Sequence, residues 1–252
     1  ILLRDESLDL AVLYAAILRI GAAFAPLNFR LVPQELAALR RLLGDPPTVA
    51  DEEFAGLLDG CLPMTELDRA ARAAAPAPLA ATGSASPNNI LFTSGTTGLP
   101  KGATLSHANV TASAANAAML RQLDERAVCY VPLPLYHTAG LHGQLVPAWY
   151  VGGEAWILRE WDLGQVAQDL SADRMSSVSL LPEQWADLAA MLTGLRLRNM
   201  SDCRTAGSRV KDGIIATIEE MTGRAPNFGM GMTEASPHLN FMEGRLLRRH
   251  NG

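Results

Sequence analysis

The chain has 252 residues, 48% of them hydrophobic and 19% charged, with a formal net charge of −5. That length is enough for one large or two small domains with a buried core, and the mild acidity argues against a nucleic-acid surface, which needs a basic face. No apolar run reaches the ~18 residues of a bilayer span; the longest, 8–26, is interrupted by Asp9 and Arg19. A cationic leader with a cleavage site is not seen, so secretion is not expected. Cys61, Cys129 and Cys203 are widely spaced and odd in number. They fit neither a zinc site nor a disulfide framework, and read as buried, inert, reduced thiols of a cytoplasmic protein. The chain opens on Ile1 and is at once mid-domain in character, which suggests a piece of something longer.

Leu8, Val12, Leu13, Ala16 and Ile17 share one face at helical spacing, so 7–20 reads as an amphipathic helix that Gly21 can cap. Residues 22–27 read as a short buried strand. Pro33 opens a second helix with an apolar face of Leu36, Leu39 and Leu43. Helix, strand, helix in this order suggests an α/β layer fold. Residues 63–89 are rich in Ala, Pro and Ser with a helical patch near 65–75, and read as a connector.

Ile90-Leu91-Phe92 then runs into Thr93-Ser94-Gly95-Thr96-Thr97-Gly98-Leu99-Pro100-Lys101-Gly102. Glycines let a backbone turn its N–H groups toward an anion; the four hydroxyls add donors and Lys101 adds a mobile positive charge. Such a loop holds phosphates. A Walker A loop needs glycine before its lysine, Ser or Thr after it, and a helix opening there. Here Pro100 and Gly102 flank the lysine, Ala103-Thr104-Leu105 looks extended, and the next helix waits for Ser106 as N-cap, running to about residue 122. His107 reads as an exposed first-turn residue.

Residues 128–135 form the next expected strand, delivering Pro134-Leu135-Tyr136-His137-Thr138-Ala139-Gly140. A strand ending in such a loop is where α/β proteins place ligands, though His137 alone reads equally as a satisfied core histidine. His142 does not match a helical zinc pair and reads as structural. A capping box at Asp162 and Gln165 starts a helix over 163–171. Residues 176–181 read as a strand, Pro182 starts a helix ending near Gly194, and 212–221 is a helix with Gly223 beyond its end. Trp156, Trp161 and Trp185 read as packing residues.

The Thr93–Gly102 loop resembles the phosphate loop of the acyl-adenylate-forming superfamily, which comprises acyl- and aryl-CoA ligases, peptide-synthetase adenylation domains and beetle luciferases. Pro134-Leu135-Tyr136-His137 is similar to the superfamily's Pro-Leu-(Phe/Tyr)-His, whose histidine lies beside the substrate carboxylate. Ala206-Gly207-Ser208 resembles its Gly-Gly-Ala segment along adenine, with Ala206 for the first glycine and Ser208 for the alanine. Asn227-Phe228-Gly229-Met230-Gly231-Met232-Thr233-Glu234 resembles Gly-(aromatic)-Gly-x-Thr-Glu. There the aromatic ring stacks on adenine, the threonine touches the α-phosphate and the glutamate holds Mg²⁺. Met230 stands at the aromatic position; its sulfur can pack on a base, and Phe228 is two residues away.

The resemblance implies two layered α/β subdomains of the adenylate-forming large domain, split here as residues 1–89 and 90–252, with the β-barrel subdomain and C-terminal domain outside this chain. It implies ATP and Mg²⁺, with coenzyme A as co-substrate and a small carboxylic acid as substrate. Thr93, Ser94, Gly95, Thr96, Thr97, Gly98 and Lys101 would take the polyphosphate. Ala206, Gly207, Ser208, Phe228, Gly229, Met230, Gly231, Met232 and Thr233 would take the nucleoside and α-phosphate. His137, Thr233 and Lys101 would be catalytic, and Glu234 the metal ligand. The chain ends before the superfamily's ribose-gripping Tyr-x-Thr-Gly-Asp, so alone it is expected to bind ATP weakly. The first reading is the N-terminal part of an acyl- or aryl-CoA ligase. Two alternatives stand beside it. One is a peptide-synthetase adenylation domain, for which an aspartate near His137 is expected and not seen. The other is a non-catalytic remnant binding acyl or nucleotide ligands. The acid and the oligomeric state, homodimer included, are left open.

Overall fold

The computed structural model describes residues 2–3, 7–93, 100–208 and 210–242. The chain divides into two compact units, residues 1–108 and 109–252.

In the first unit, strand β1 (Leu2–Leu3) precedes helix α1 (Leu8–Arg19), whose N-cap Ser7 accepts from Leu10 N at 3.2 Å. The buried face of α1 is Leu10, Ala11 and Tyr14, whereas Leu8 and Val12 are exposed. That corrects the expected stripe. The helix is apolar nearly all round, so spacing admits two overlapping faces, and Tyr14 selects one by donating its hydroxyl to Asn88 Oδ1 at 2.7 Å. Helix α2 (Pro33–Leu42) begins at its proline and buries Leu36 and Leu39 against Leu27, Ala50 and Leu58. Strands β2 (Thr48–Ala50) and β3 (Cys61–Pro63) join β1 in a parallel sheet of order β1-β2-β3, and helix α3 (Met64–Ala73) follows. The strand expected at 22–27 is reduced to isolated bridge residues at Phe24 and Pro26, with Phe24 paired in parallel with Asn89. Pro26 has no N–H to carry a ladder further. Cys61 is half-buried rather than buried.

Strands β4 (Pro87–Thr93) and β5 (Lys101–Ser106) form an antiparallel hairpin, confirming the extended run before Ser106. Helix α4 (His107–Arg121) starts directly after it. His107 is half-buried, not exposed, because Asn88 Nδ2 lies 3.1 Å from its Nδ1.

The second unit is a six-stranded sheet with helices around it. It comprises β6 (Val128–Val131), α5 (Thr138–Gly140), a π-helical turn (Leu141–Leu145), α6 (Val146–Tyr150) and β7 (Glu154–Ile157). Then come α7 (Leu163–Ser171), β8 (Ser177–Leu180), α8 (Pro182–Met191), β9 (Asp202–Ala206), α9 (Asp212–Thr222), β10 (Asn227–Gly231) and β11 (His238–Met242). The order is β11-β10-β9-β8-β6-β7, parallel except for β11. β6 ends at Val131 rather than 135, since Pro132 and Pro134 offer no ladder donors. Asp162 caps α7 by accepting from Gln165 N at 2.7 Å, but Gln165 turns to Asp169 Oδ1 at 2.8 Å, so only half the capping box forms.

All four residues of β8 are buried, as befits a parallel strand covered on both faces. The core gathers Tyr130, Val166, Leu170, Val178, Leu180, Trp185, Leu188 and Ile218, with Trp156 and Trp161 packed at its edge. β7 lies on one side of β6 and β8 on the other, which makes the ends of β6 and β8 a topological switch point, where open α/β sheets bind ligands. Among the described residues no helix is long and apolar enough to cross a membrane.

Candidate active site

In the first unit, pairing of β4 with β5 sets Thr93 directly opposite Lys101, so the two ends of the phosphate-loop motif meet across the hairpin. Thr93 Oγ1 lies 3.4 Å from Lys101 O, and the Lys101 side chain is exposed. A Cβ on Gly102 would stand 2.8 Å from Ile90 Cγ2, so glycine is what lets the strands close behind the loop. Ser94, Gly95, Thr96, Thr97 and Gly98 lie outside the described residues.

In the second unit, a cavity of about 540 Å³ opens at the carboxyl ends of the parallel strands. Four strand-to-loop junctions feed it. His137 follows β6, Leu181 follows β8, Ala206-Gly207-Ser208 closes β9, and Met230 through Thr233 closes β10. Of the residues singled out in the sequence, His137, Ala206, Gly207, Ser208, Gly229, Met230, Gly231, Met232 and Thr233 line this one cavity. Phe228 and Glu234 do not line it. Phe228 is partly buried further back on β10, and Glu234 is exposed on the 3₁₀ turn Thr233–Ala235.

The backbone at the rim is held close. Gly207 has φ +94°, a left-handed conformation that favours glycine, and a Cβ there would lie 2.9 Å from Leu181 Cδ2. At Gly231 a Cβ would lie 2.2 Å from the Pro237 carbonyl oxygen, so the chain passes Pro237 only as glycine. Met230 is 60% exposed and presents its side chain at the opening.

His137 stands at the cavity with its ring 4.6 Å from that of Tyr136, and desolvation holds its pKa below the usual histidine value. The turn that carries it is anchored from below. His142, on the π-helical turn, is 1% exposed; its Nδ1 lies 3.2 Å from Thr138 Oγ1 and 3.1 Å from Ser236 Oγ. One imidazole thus ties the His137 turn to the Thr233–Ser236 turn, and burial pushes its pKa down to about 4. Ser113 on α4 also donates to the Ser236 carbonyl. His142 is structural, as its spacing indicated.

A charged cluster under the sheet ends was not singled out from sequence. Arg121 Nε donates to Asp202 Oδ2 at 2.8 Å, and its Nη1 donates to Gly143 O at 2.9 Å. Arg204 Nη2 donates to the same carbonyl at 2.8 Å, and Ser177 Oγ donates to Asp202 Oδ2 at 2.7 Å. Burial alone would raise the Asp202 pKa, but Arg121, Arg204 and the hydrogen bonds outweigh it and hold the carboxyl below its usual range. Burial, followed by Arg121, lowers the Arg204 pKa to about 9, which leaves it charged at neutral pH. The signal that could have found this cluster is a pair of charged residues, Asp202 and Arg204, inside a central strand. Among the described residues no group of three or more His, Cys, Asp or Glu is placed to hold a metal.

Residues 1–251 match the family model described as "AMP-binding enzyme". The chain is 34% identical over 229 residues to feruloyl-CoA synthase of Amycolatopsis sp, covering 86% of this chain and 45% of that protein. It is 32% identical over 196 residues to indoleacetate–CoA ligase of Aromatoleum aromaticum, covering 69% of this chain and 38% of that protein. It thus spans less than half the length of these curated relatives. Among solved structures, the inhibitor-bound N-terminal domain of FACL13 from Mycobacterium tuberculosis shares the fold with a TM-score of 0.89 at 20% identity, over 99% of this chain and 66% of that one. A family match across nearly the whole chain, and a cavity lined by its expected residues, lead to one conclusion: the chain belongs to the AMP-binding enzyme family.

Proposed function

We propose that the chain is part of an AMP-forming acid–thiol ligase, which activates a carboxylic acid as its acyl-adenylate and then transfers the acyl group to coenzyme A. The observation that carries this reading is the convergence of His137, Ala206-Gly207-Ser208, Met230 and Thr233 on one cavity at the sheet's switch point. In the first half-reaction a carboxylate oxygen attacks the α-phosphorus of ATP and pyrophosphate leaves. Two anions must meet, so the residues must neutralise charge and fix position. Thr233 would steady the α-phosphate, the Thr93–Gly98 loop would hold the β- and γ-phosphates, and Lys101 would follow the pyrophosphate. His137, kept neutral by its lowered pKa, can lie against the acid's carboxylate without forming a salt pair that would resist the attack.

Magnesium would supply charge neutralisation on the polyphosphate. It needs only one or two carboxylates beside phosphates and water, and the exposed, single carboxylate Glu234 fits that role. The relatives named as CoA synthase and CoA ligase support thioesterification as the second half. No Asp or Glu is among the described residues lining the cavity, which favours a CoA ligase over an adenylation domain that must hold an amino acid's ammonium.

Acid-dependent exchange of pyrophosphate into ATP, measured on the protein that carries this chain, tests the reading. Exchange is expected with fatty or aryl acids and not with amino acids, and Lys101→Ala or Glu234→Ala should abolish it. Exchange with amino acids alone would favour the peptide-synthetase type. Exchange with no acid would leave the binding remnant.

A further inference from the structure

A buried polar knot lies inside the first unit, at the open end of the β4–β5 hairpin. Asn88 is 4% exposed, Asn89 0% and Tyr14 2%. Asn88 Oδ1 accepts from the Tyr14 hydroxyl at 2.7 Å and from Asn89 Nδ2 at 2.9 Å. Its Nδ2 lies 3.1 Å from Nδ1 of His107, the first residue of α4. The Asn88 carbonyl accepts from Phe24 N at 2.9 Å, and Phe24 O accepts from Ile90 N at 2.8 Å. One residue thus ties the hairpin to α1, to the 22–27 segment and to the start of α4.

Asn88 is also where the ladder is irregular. Pro87 pairs with Ser106 and Asn89 with Leu105, so Asn88 is the extra residue of a β-bulge. From Asn89 onward the pairing is regular and ends on Thr93 opposite Lys101. Apolar side chains alone do not fix that register. They alternate with a period of two, so a slip of two residues returns each to its own face. Leu91 would stay on the buried side, but Thr93 would come to face Ala103 instead of Lys101. Hydrogen bonds are directional, and a buried polar network that is left half-satisfied is costly. Asn88 meets Tyr14 and His107 together only while the bulge sits beside Ser106, so the knot excludes the slip.

Resting on the reading above, in which Thr93 and Lys101 handle the polyphosphate, we infer that Asn88 is a positioning residue for that step: its buried amide, held by Tyr14 and His107, sets the hairpin register that brings Thr93 opposite Lys101. Asn88 itself touches no phosphate. Its effect is carried along β4, and a misplacement of about 1 Å at a reacting group can cost on the order of 100-fold in rate.

Pyrophosphate exchange on the protein that carries this chain tests the assignment, with whichever fatty or aryl acid exchanges fastest. ATP is varied at saturating acid, and the acid at saturating ATP. Tyr14→Phe removes only the hydroxyl and keeps the ring against Phe24, whose centroid lies 4.9 Å away. Asn88→Leu removes the whole amide. Each should raise KM for ATP, by roughly 10-fold or more in Asn88→Leu, and leave KM for the acid unchanged. Tyr14→Phe carries the test if Asn88→Leu does not fold. A residue that only stabilises the fold would lower the melting temperature and the active fraction, hence kcat, with both KM values unmoved. That result, or an equal rise in both KM values, would overturn the inference and leave the ligase reading intact. No exchange by the parent protein with any acid would overturn both.

Discussion

Arg121 and Asp202, both about 1% exposed at the side chain, form an ion pair at 2.8 Å that joins α4 to the centre of the sheet. Gly143 and Ser177 complete the pair's hydrogen bonding, so the desolvation of both charges is offset locally. Removing one partner strands the other. Arg121→Met or Asp202→Ala should therefore destabilise the second unit by about 3–5 kcal/mol, measured by urea denaturation at pH 7. Asp202 has a folded pKa below its unfolded value, so its contribution is complete above the unfolded carboxylate value of about 3.9 and is lost as pH falls through the folded pKa. The acid limb below pH 4 should flatten in Asp202→Ala.

His142 governs a different pH window. Its folded pKa is depressed from 6.5 to about 4, so between those values the unfolded chain binds a proton that the folded chain refuses. Stability is full above about 6.5 and falls as pH drops toward 4, by on the order of 3 kcal/mol. His238, depressed to about 3, adds to the same limb. His142→Asn keeps a polar atom near Thr138 and Ser236 and cannot titrate. Melting temperature measured from pH 7 to pH 4 should fall less steeply in that variant; an unchanged slope would mean that the imidazole is not sealed as described.

Elements whose ends carry their own chemistry were legible in the sequence. Ser7, Pro33, Asp162, Pro182 and Gly223 each mark a helix boundary within a residue of its observed place. The motif residues converge on the β9 and β10 ends because glycines that admit close backbone approach are visible as letters. The 22–27 strand was misread because hydrophobicity shows burial, whereas a ladder also needs donors that Pro26 lacks. The α1 face was ambiguous because the partner that decides it, Asn88, is 74 residues away. The buried charged cluster was hidden for a related reason. Arg121 and Asp202 meet only once α4 packs on β9, and a charged letter in a buried strand does not announce its counterpart.

Two glycines at the cavity make opposite demands from a third that lies on a helix. At Gly231 an added Cβ meets the backbone of Pro237 at 2.2 Å, which no side-chain rotation can relieve. Gly231→Ala should push β10 from the Pro237 segment, displace Thr233 and abolish detectable ATP binding by calorimetry. At Gly207 the nearest atom is the flexible end of Leu181, so the penalty comes from φ +94° and should weaken nucleotide by roughly tenfold, from ~1 kcal/mol of strain. A Cβ added at Gly213 on α9 meets nothing within 4 Å among the described residues outside its own helix turn, so Gly213→Ala should bind nucleotide as the parent does and be slightly more stable. Equal losses at all three would show that the cavity geometry is not what separates them.

Met230 offers the most direct gain of function. Its side chain is 60% exposed, and it lines the same cavity as Gly207 and Ser208. A thioether can pack on a purine but lacks the ring face that stacks on it. Exposure at this position leaves room for a larger planar group without repacking the core. Met230→Tyr should then tighten binding of AMP, the smallest adenine nucleotide that reports on the base slot, by about 3- to 10-fold, the equivalent of ~0.5–1.5 kcal/mol of aromatic stacking. Inosine monophosphate should gain by a similar factor, since stacking ignores the exocyclic group, while ribose 5-phosphate should gain nothing. Improvement with ribose 5-phosphate would locate the effect outside the base slot.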